Sequence, residues 1–139
     1  MNVLITGAGL IGCHAAGRLL EKGHRVVLYD VSPDHTYIQA VAGNAQGLSI
    51  EAGDMRDLPA LLSIIRTYGI DTIVHTAGLI GKKVVERPYT GFMVNVQGTM
   101  HVAEAVRVME VKRLVFVSTF GVYNRNLPAP SPIAEDFPQ

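Results

Sequence analysis

Apolar positions follow two alternating patterns along this chain. Short, nearly unbroken apolar runs at Asn2–Thr6, Arg25–Asp30, 48–51, 71–76 and 113–118 read as strands covered on both faces. Between them lie stretches with helical spacing. One covers 10–22 and stops at Gly23, and a weaker one covers 34–44. A third starts from Asp57 as N-cap, has Pro59 in its first turn, and repeats Leu58, Leu61, Leu62 and Ile65 up to Gly69. The fourth and longest runs over 88–109, after a loop carrying Gly78 and Gly81. Its apolar positions Phe92, Val96, Met100, Ala103 and Val106 are mostly core, and part of them is left to face another subunit. This alternation predicts an α/β, Rossmann-type doubly wound parallel sheet of strand order 3-2-1-4-5 with helices on both faces. Beyond Thr119 the pattern ends. Pro128, Pro130, Pro132 and Pro138, with Ser131, Glu135 and Asp136, predict an extended loop. The reading is one dinucleotide-binding domain, 1–139, which looks cut short.

Composition narrows the function classes. The chain has 139 residues, enough for one core, and 48% of them are hydrophobic against 17% charged. Twelve basic and twelve acidic side chains cancel, so neither nucleic acid nor a membrane surface is an expected partner. Cys13 is the single cysteine, which leaves no intrachain disulfide; packing against the sheet is its expected role. His14, His24, His35 and His101 share no ligand spacing, and no metal site is expected. His75, on a buried strand, reads as a satisfied core residue. The start of the chain has no secretory or membrane-spanning pattern, so the expected location is cytoplasmic.

The candidate chemistry begins where the first strand ends. Gly7, Gly9 and Gly12 stand in a G-x-G-x-x-G pattern around Leu10 and Ile11. Gly7 would make the tight turn, Gly9 would admit a diphosphate to the backbone, and Gly12 would let the helix pack closely on the sheet. The helix N-terminus then offers unpaired N–H groups to phosphate oxygens. Asp30, ending the second strand, is placed to accept from an adenosine ribose and to repel a 2′-phosphate, favouring NAD over NADP. Other strand ends carry Asp54-Met55, Thr76-Ala77-Gly78 and Ser118-Thr119. Asp54 could accept the adenine amine while Met55 packs on the ring; the competing reading of Asp54 is an ordinary turn residue. Lys82-Lys83 lies where a substrate phosphate could arrive, although loop lysines are usually just solvated.

Together these blocks, with Arg87-Pro88-Tyr89, Asn95-Val96-Gln97-Gly98-Thr99 and the run from Val115 to Tyr123, resemble the extended short-chain dehydrogenase/reductase family of nucleotide-sugar epimerases and dehydratases. The resemblance implies an NAD-dependent enzyme, an oxidoreductase, isomerase or lyase, that moves hydride transiently on a nucleotide sugar. It places the diphosphate on the glycine block, the adenosine ribose on Asp30, adenine between Asp54 and Met55, and nicotinamide beside Ala77 and Gly78. It gives Asn95 a place in the active-site hydrogen-bond network. It makes Thr119 the polarising hydroxyl, with Ser118 as the neighbour most easily confused with it. A homodimer is the candidate assembly.

The chain departs from that family twice. The family's T-G-x-x-G-x-x-G is one residue shorter here between Thr6 and Gly9, a spacing shared with other dinucleotide binders. The family's Tyr-x-x-x-Lys is expected beyond Gln139, and Tyr123 cannot replace it because Leu127 stands four residues on. The expectation is therefore the cofactor half of an epimerase, dehydratase or related dehydrogenase, without turnover by itself and with an exposed apolar surface that favours self-association. The alternative is a non-catalytic NAD-binding sensor or scaffold. A Rossmann enzyme of another family fits the Asn95 and Ser118-Thr119 blocks less well.

Overall fold

A computed structural model describes residues 1–43, 46–124, 126, 128 and 132–138. Asn44 at the end of the expected second helix, Leu127 after Tyr123, and Pro130 and Ser131 of the proline-rich stretch lie outside the described residues.

β1 (Asn2–Thr6), β2 (Arg25–Asp30), β3 (Leu48–Ala52), β4 (Thr72–His75) and β5 (Arg113–Phe116) form one all-parallel sheet in the order β3-β2-β1-β4-β5. Alternation along the strands assigns side chains to two cores. Val3, Ile5, Val26 and Leu28 point to the face covered by α1 (Leu10–Glu21) and α2 (His35–Ala42), where Cys13, Ala16 and Ile38 are buried. Leu4, Val27, Tyr29 and Ile73 point to the opposite face, beneath α3 (Leu58–Tyr68) and α6 (Thr99–Val108), where Leu61, Ile65, Val102 and Ala105 are buried. Both faces of β1 and β2 are therefore dry, which explains their unbroken apolar sequence.

Local signals set the helix ends. Asp34 caps α2 by accepting from Tyr37 N at 3.0 Å. Asp57 caps α3 by accepting from Ala60 N at 3.0 Å, and Gly69 ends that helix in the left-handed conformation (φ 56°, ψ 47°).

The segment after β4 differs from expectation. The predicted loop holds a one-turn helix, α4 (Lys82–Glu86), and the predicted single long helix is built in three parts. These are α5 (Pro88–Phe92), a π-helical turn at Met93–Gly98, and α6. Such wide turns are rare and cluster at functional sites. A second feature is β5, whose four residues are all exposed on the sheet's edge; Phe116 is 55% accessible. Beyond it lies a short 3₁₀ turn at Phe120–Val122, and Asn124 N donates to Pro138 O at 2.9 Å. Among the described residues no helix is long and apolar enough to cross a membrane.

Candidate functional site

The C-terminal ends of β1, β2 and β4 converge on the glycine loop. Gly7 has a φ of +93°, a conformation that disfavours any side chain, and a Cβ there would lie 2.8 Å from Ala77 N. Gly12 is tighter still: a Cβ would penetrate the carbonyl oxygen of Gly7, so only glycine lets α1 approach β1 this closely. Gly9 is the opposite case. A Cβ added there meets nothing within 4 Å, leaving open ground in front of the α1 N-terminus. Leu10 and Ile11 are exposed on that ground. The first intrahelical bond is Cys13 N to Gly9 O, so the N–H groups of Leu10, Ile11 and Gly12 precede the helical ladder and remain for an anionic guest.

The loop is pinned from three sides. Gly7 N donates to Tyr29 O at 2.8 Å, and Thr76 Oγ1 donates toward Thr6 O and Gly7 O at 2.8 and 3.1 Å. Ala8 N donates to Asp30 Oδ2 at 2.8 Å, while Ser32 N donates to Asp30 Oδ1 at 2.9 Å. Each Asp30 oxygen thus accepts one main-chain bond and keeps a lone pair for a further donor. Cys13 is fully buried beneath the loop, and its thiol donates to Ala8 O at 3.1 Å. Burial, and secondarily the charge of Asp30, pushes that thiol's pKa up, so it stays protonated as the bond requires.

At the end of β3 the arrangement is more closed than expected. Asp54 is gripped by Arg56, whose Nε lies 3.0 and 2.9 Å from its two carboxylate oxygens. That hydrogen bonding lowers the Asp54 pKa. Met55 turns inward, buried against Gly98 in the apolar cluster under α3 and α6. Its carbonyl oxygen lies 3.2 Å from Nδ1 of His101, and its side chain sits in the core and not on the open face that the ring stack foreseen from sequence needs. A cavity beside this corner is lined by Asp54, Arg56, Met93, Gln97 and His101. A separate cavity of about 340 Å³, lined by Asn2, Arg25, Leu48 and Tyr68, opens at the other ends of the strands, away from the glycine loop.

Ala77 is half-buried and Gly78 exposed at the end of β4. The following residue is clamped by Asn95 from the π-turn: Leu79 N donates to Asn95 Oδ1 at 2.7 Å, and Asn95 Nδ2 donates to Leu79 O at 2.8 Å. Ser118 and Thr119 are exposed past β5, at the same end of the sheet. The Thr119 hydroxyl accepts from Gly121 N at 3.1 Å, capping the 3₁₀ turn. Lys82 is exposed and pairs with Glu86 at 3.4 Å. Among the described residues, no cluster of His, Cys, Asp and Glu could hold a metal ion. Arg56, two residues beyond Asp54, is a partner that the sequence reading did not single out. The partners of His75, described below, carried no sequence signal.

The chain matches the family model described as NAD dependent epimerase/dehydratase over residues 3–139. It is 37% identical over 146 aligned positions to UDP-glucose 4-epimerase 4 of Oryza sativa subsp. japonica, covering 99% of this chain and 39% of that protein. A crystal structure of UDP-glucose 4-epimerase from Stenotrophomonas maltophila, with bound NAD and formylated UDP-arabinopyranose, superposes with a TM-score of 0.85 at 31% identity, covering 99% of this chain and 42% of that one. The Bifidobacterium longum UDP-glucose 4-epimerase, in complex with NAD+ and UDP, gives 0.83 at 28% identity, covering 99% of this chain and 42% of that one. The chain therefore spans about two-fifths of the length of these relatives.

Proposed function

The chain belongs to the NAD dependent epimerase/dehydratase family, and on that premise we propose that its residues 1–139 are the cofactor-binding domain of a nucleotide-sugar epimerase. The observation that carries the proposal is the open ground at Gly9, bounded on one side by unladdered helix N–H groups and on the other by the Asp30 carboxylate. A dinucleotide needs both at once: donors for its diphosphate and an acceptor for its adenosine ribose. Leu10, Ile11 and Gly12 supply the first through main chain, and Asp30 supplies the second through its remaining lone pairs. Asp54, next to the buried Met55, borders the adenine end. Thr76, Ala77 and Gly78 line the nicotinamide end, with Asn95 holding Leu79 behind them.

NAD, when bound, supplies the acceptor and donor of hydride. The protein's own part is placement. The pinned loop fixes the diphosphate, and the exposed Thr119 hydroxyl, with Ser118 beside it, is available to polarise a sugar oxygen. The substrate class is a UDP-sugar, in keeping with the ligands of the two solved relatives. The Tyr-x-x-x-Lys pair that the resemblance implies as base is not among these residues, since no tyrosine of the 139 is followed by lysine four positions on. These residues alone bind cofactor without turning over substrate.

Calorimetric titration with NAD+ and NADP+ tests the reading. NAD+ binds more tightly by about tenfold or more, because a 2′-phosphate meets the Asp30 carboxylate, and Asp30→Ala removes the preference. Absence of heat with either dinucleotide, or tighter binding of NADP+, overturns it. Robust conversion of a UDP-sugar by the 139-residue chain contradicts the assignment of the base elsewhere.

A further inference from the structure

His75 is 1% exposed, yet both ring nitrogens are engaged. Nδ1 lies 2.6 Å from Thr6 Oγ1, and Nε2 lies 3.0 Å from Thr99 Oγ1. The protons can be placed by elimination. A threonine hydroxyl has a single proton, and that of Thr99 is donated to Asn95 O at 2.7 Å. Toward His75, Thr99 is therefore an acceptor, which puts the imidazole proton on Nε2. Nδ1 of the neutral ring then carries a lone pair and accepts from the Thr6 hydroxyl. The ring itself stacks on Phe116 of β5, with centroids 5.5 Å apart.

This chain of bonds links the end of β1 to the π-turn. Thr6 is the last residue of β1, directly before Gly7. Thr99 and Asn95 bracket the second half of the π-turn, and Asn95 clamps Leu79. We infer that His75 is a positioning residue: as a neutral Nε2–H imidazole strung between Thr6 and Thr99, it registers the π-turn against the glycine loop. In doing so it sets the Asn95 clamp that orders the 77–79 segment at the nicotinamide end. The inference rests on the cofactor reading above for the identity of the ligand; the bond chain itself does not depend on it.

The test combines three readouts on the full chain. Nitrogen-15 spectra of the wild-type side chain should show a pyridine-type Nδ1 and a pyrrole-type Nε2 for His75. A protonated Nδ1 overturns the inference without any variant being made. Thr99→Val keeps the shape and removes the hydroxyl. It should speed amide exchange at Leu79 by about tenfold and weaken NAD+ binding by a similar factor, and Thr99→Ser should restore both. A merely space-filling role for this region predicts the reverse, with valine harmless and serine worse. Unchanged Leu79 exchange in Thr99→Val, or faster exchange with unchanged affinity, sinks the inference. If the wild type binds no NAD+, the cofactor reading fails on its own, while the spectra and the exchange rates still judge the coupling.

Discussion

Gly9→Ala should separate the cofactor site from the fold. Gly9 is the N-cap of α1 at φ −84° and ψ −166°, extended backbone that alanine adopts freely, and the new methyl meets no atom within 4 Å. Alanine is a poorer cap than glycine by roughly 0.5 kcal/mol. Stiffening the unfolded chain offsets this by about 0.4–1 kcal/mol. The net change in stability is therefore near zero, and Tm should move by less than about 3 °C. The bound state has no such latitude. In the proposed site the methyl stands where the diphosphate approaches the main chain, and accommodating it should cost about 1–3 kcal/mol, the range for an inserted methyl in a packed site. That corresponds to about a 5- to 150-fold rise in Kd. Calorimetry with NAD+ and thermal unfolding of the same preparation read both quantities. A Kd within twofold of wild type would show that no phosphate passes over Gly9. A fall in Tm of more than about 5 °C would show that the space is not free.

Gly12→Ala should behave in the contrary way: the helix-propensity gain of about 1 kcal/mol is outweighed because the methyl strikes the Gly7 carbonyl, and a net loss of about 2 kcal/mol is expected in urea unfolding. A stabilised variant would contradict the close packing of α1 on β1. The pKa of His75 is lowered from 6.5 by burial, with no charged neighbour contributing. The unfolded chain therefore takes up this proton first, and the associated stability is intact above pH 6.5 and is lost as pH falls through the folded-state value. Urea unfolding at stepped pH should show this decline in wild type and its absence in His75→Phe; parallel profiles would refute it. The exposed apolar edge at β5, where Val115 is 45% accessible, should drive self-association that Val115→Lys reduces. Light scattering of a wild type that stays monomeric at high concentration would count against this.

The sequence by itself determined the sheet and the glycine turn at the end of β1. Strands buried on both faces must be apolar throughout, and helices between them must repeat every three to four residues, so the β–α alternation and the order 3-2-1-4-5 were legible before any coordinates. The three glycines were legible because each answers a local demand, a left-handed turn, an open approach or a close crossing. Caps such as Asp34 and Asp57 act within three residues and were equally open to reading, although only the second was foreseen.

Tertiary structure alone decided the rest. The π-turn at Met93–Gly98 shifts hydrogen bonds by one residue without disturbing the apolar pattern, so 88–109 read as one helix. α4 is too short to establish a period, and Met55 showed nothing in sequence to say that its side chain turns into the core. The partners of His75 lie 69 and 24 residues away. Its burial could be read from the strand around it, but its two hydroxyl neighbours could not. Periodicity and capping are short-range properties of a chain, whereas the partner of a buried polar group is chosen by whichever distant element the fold packs against it.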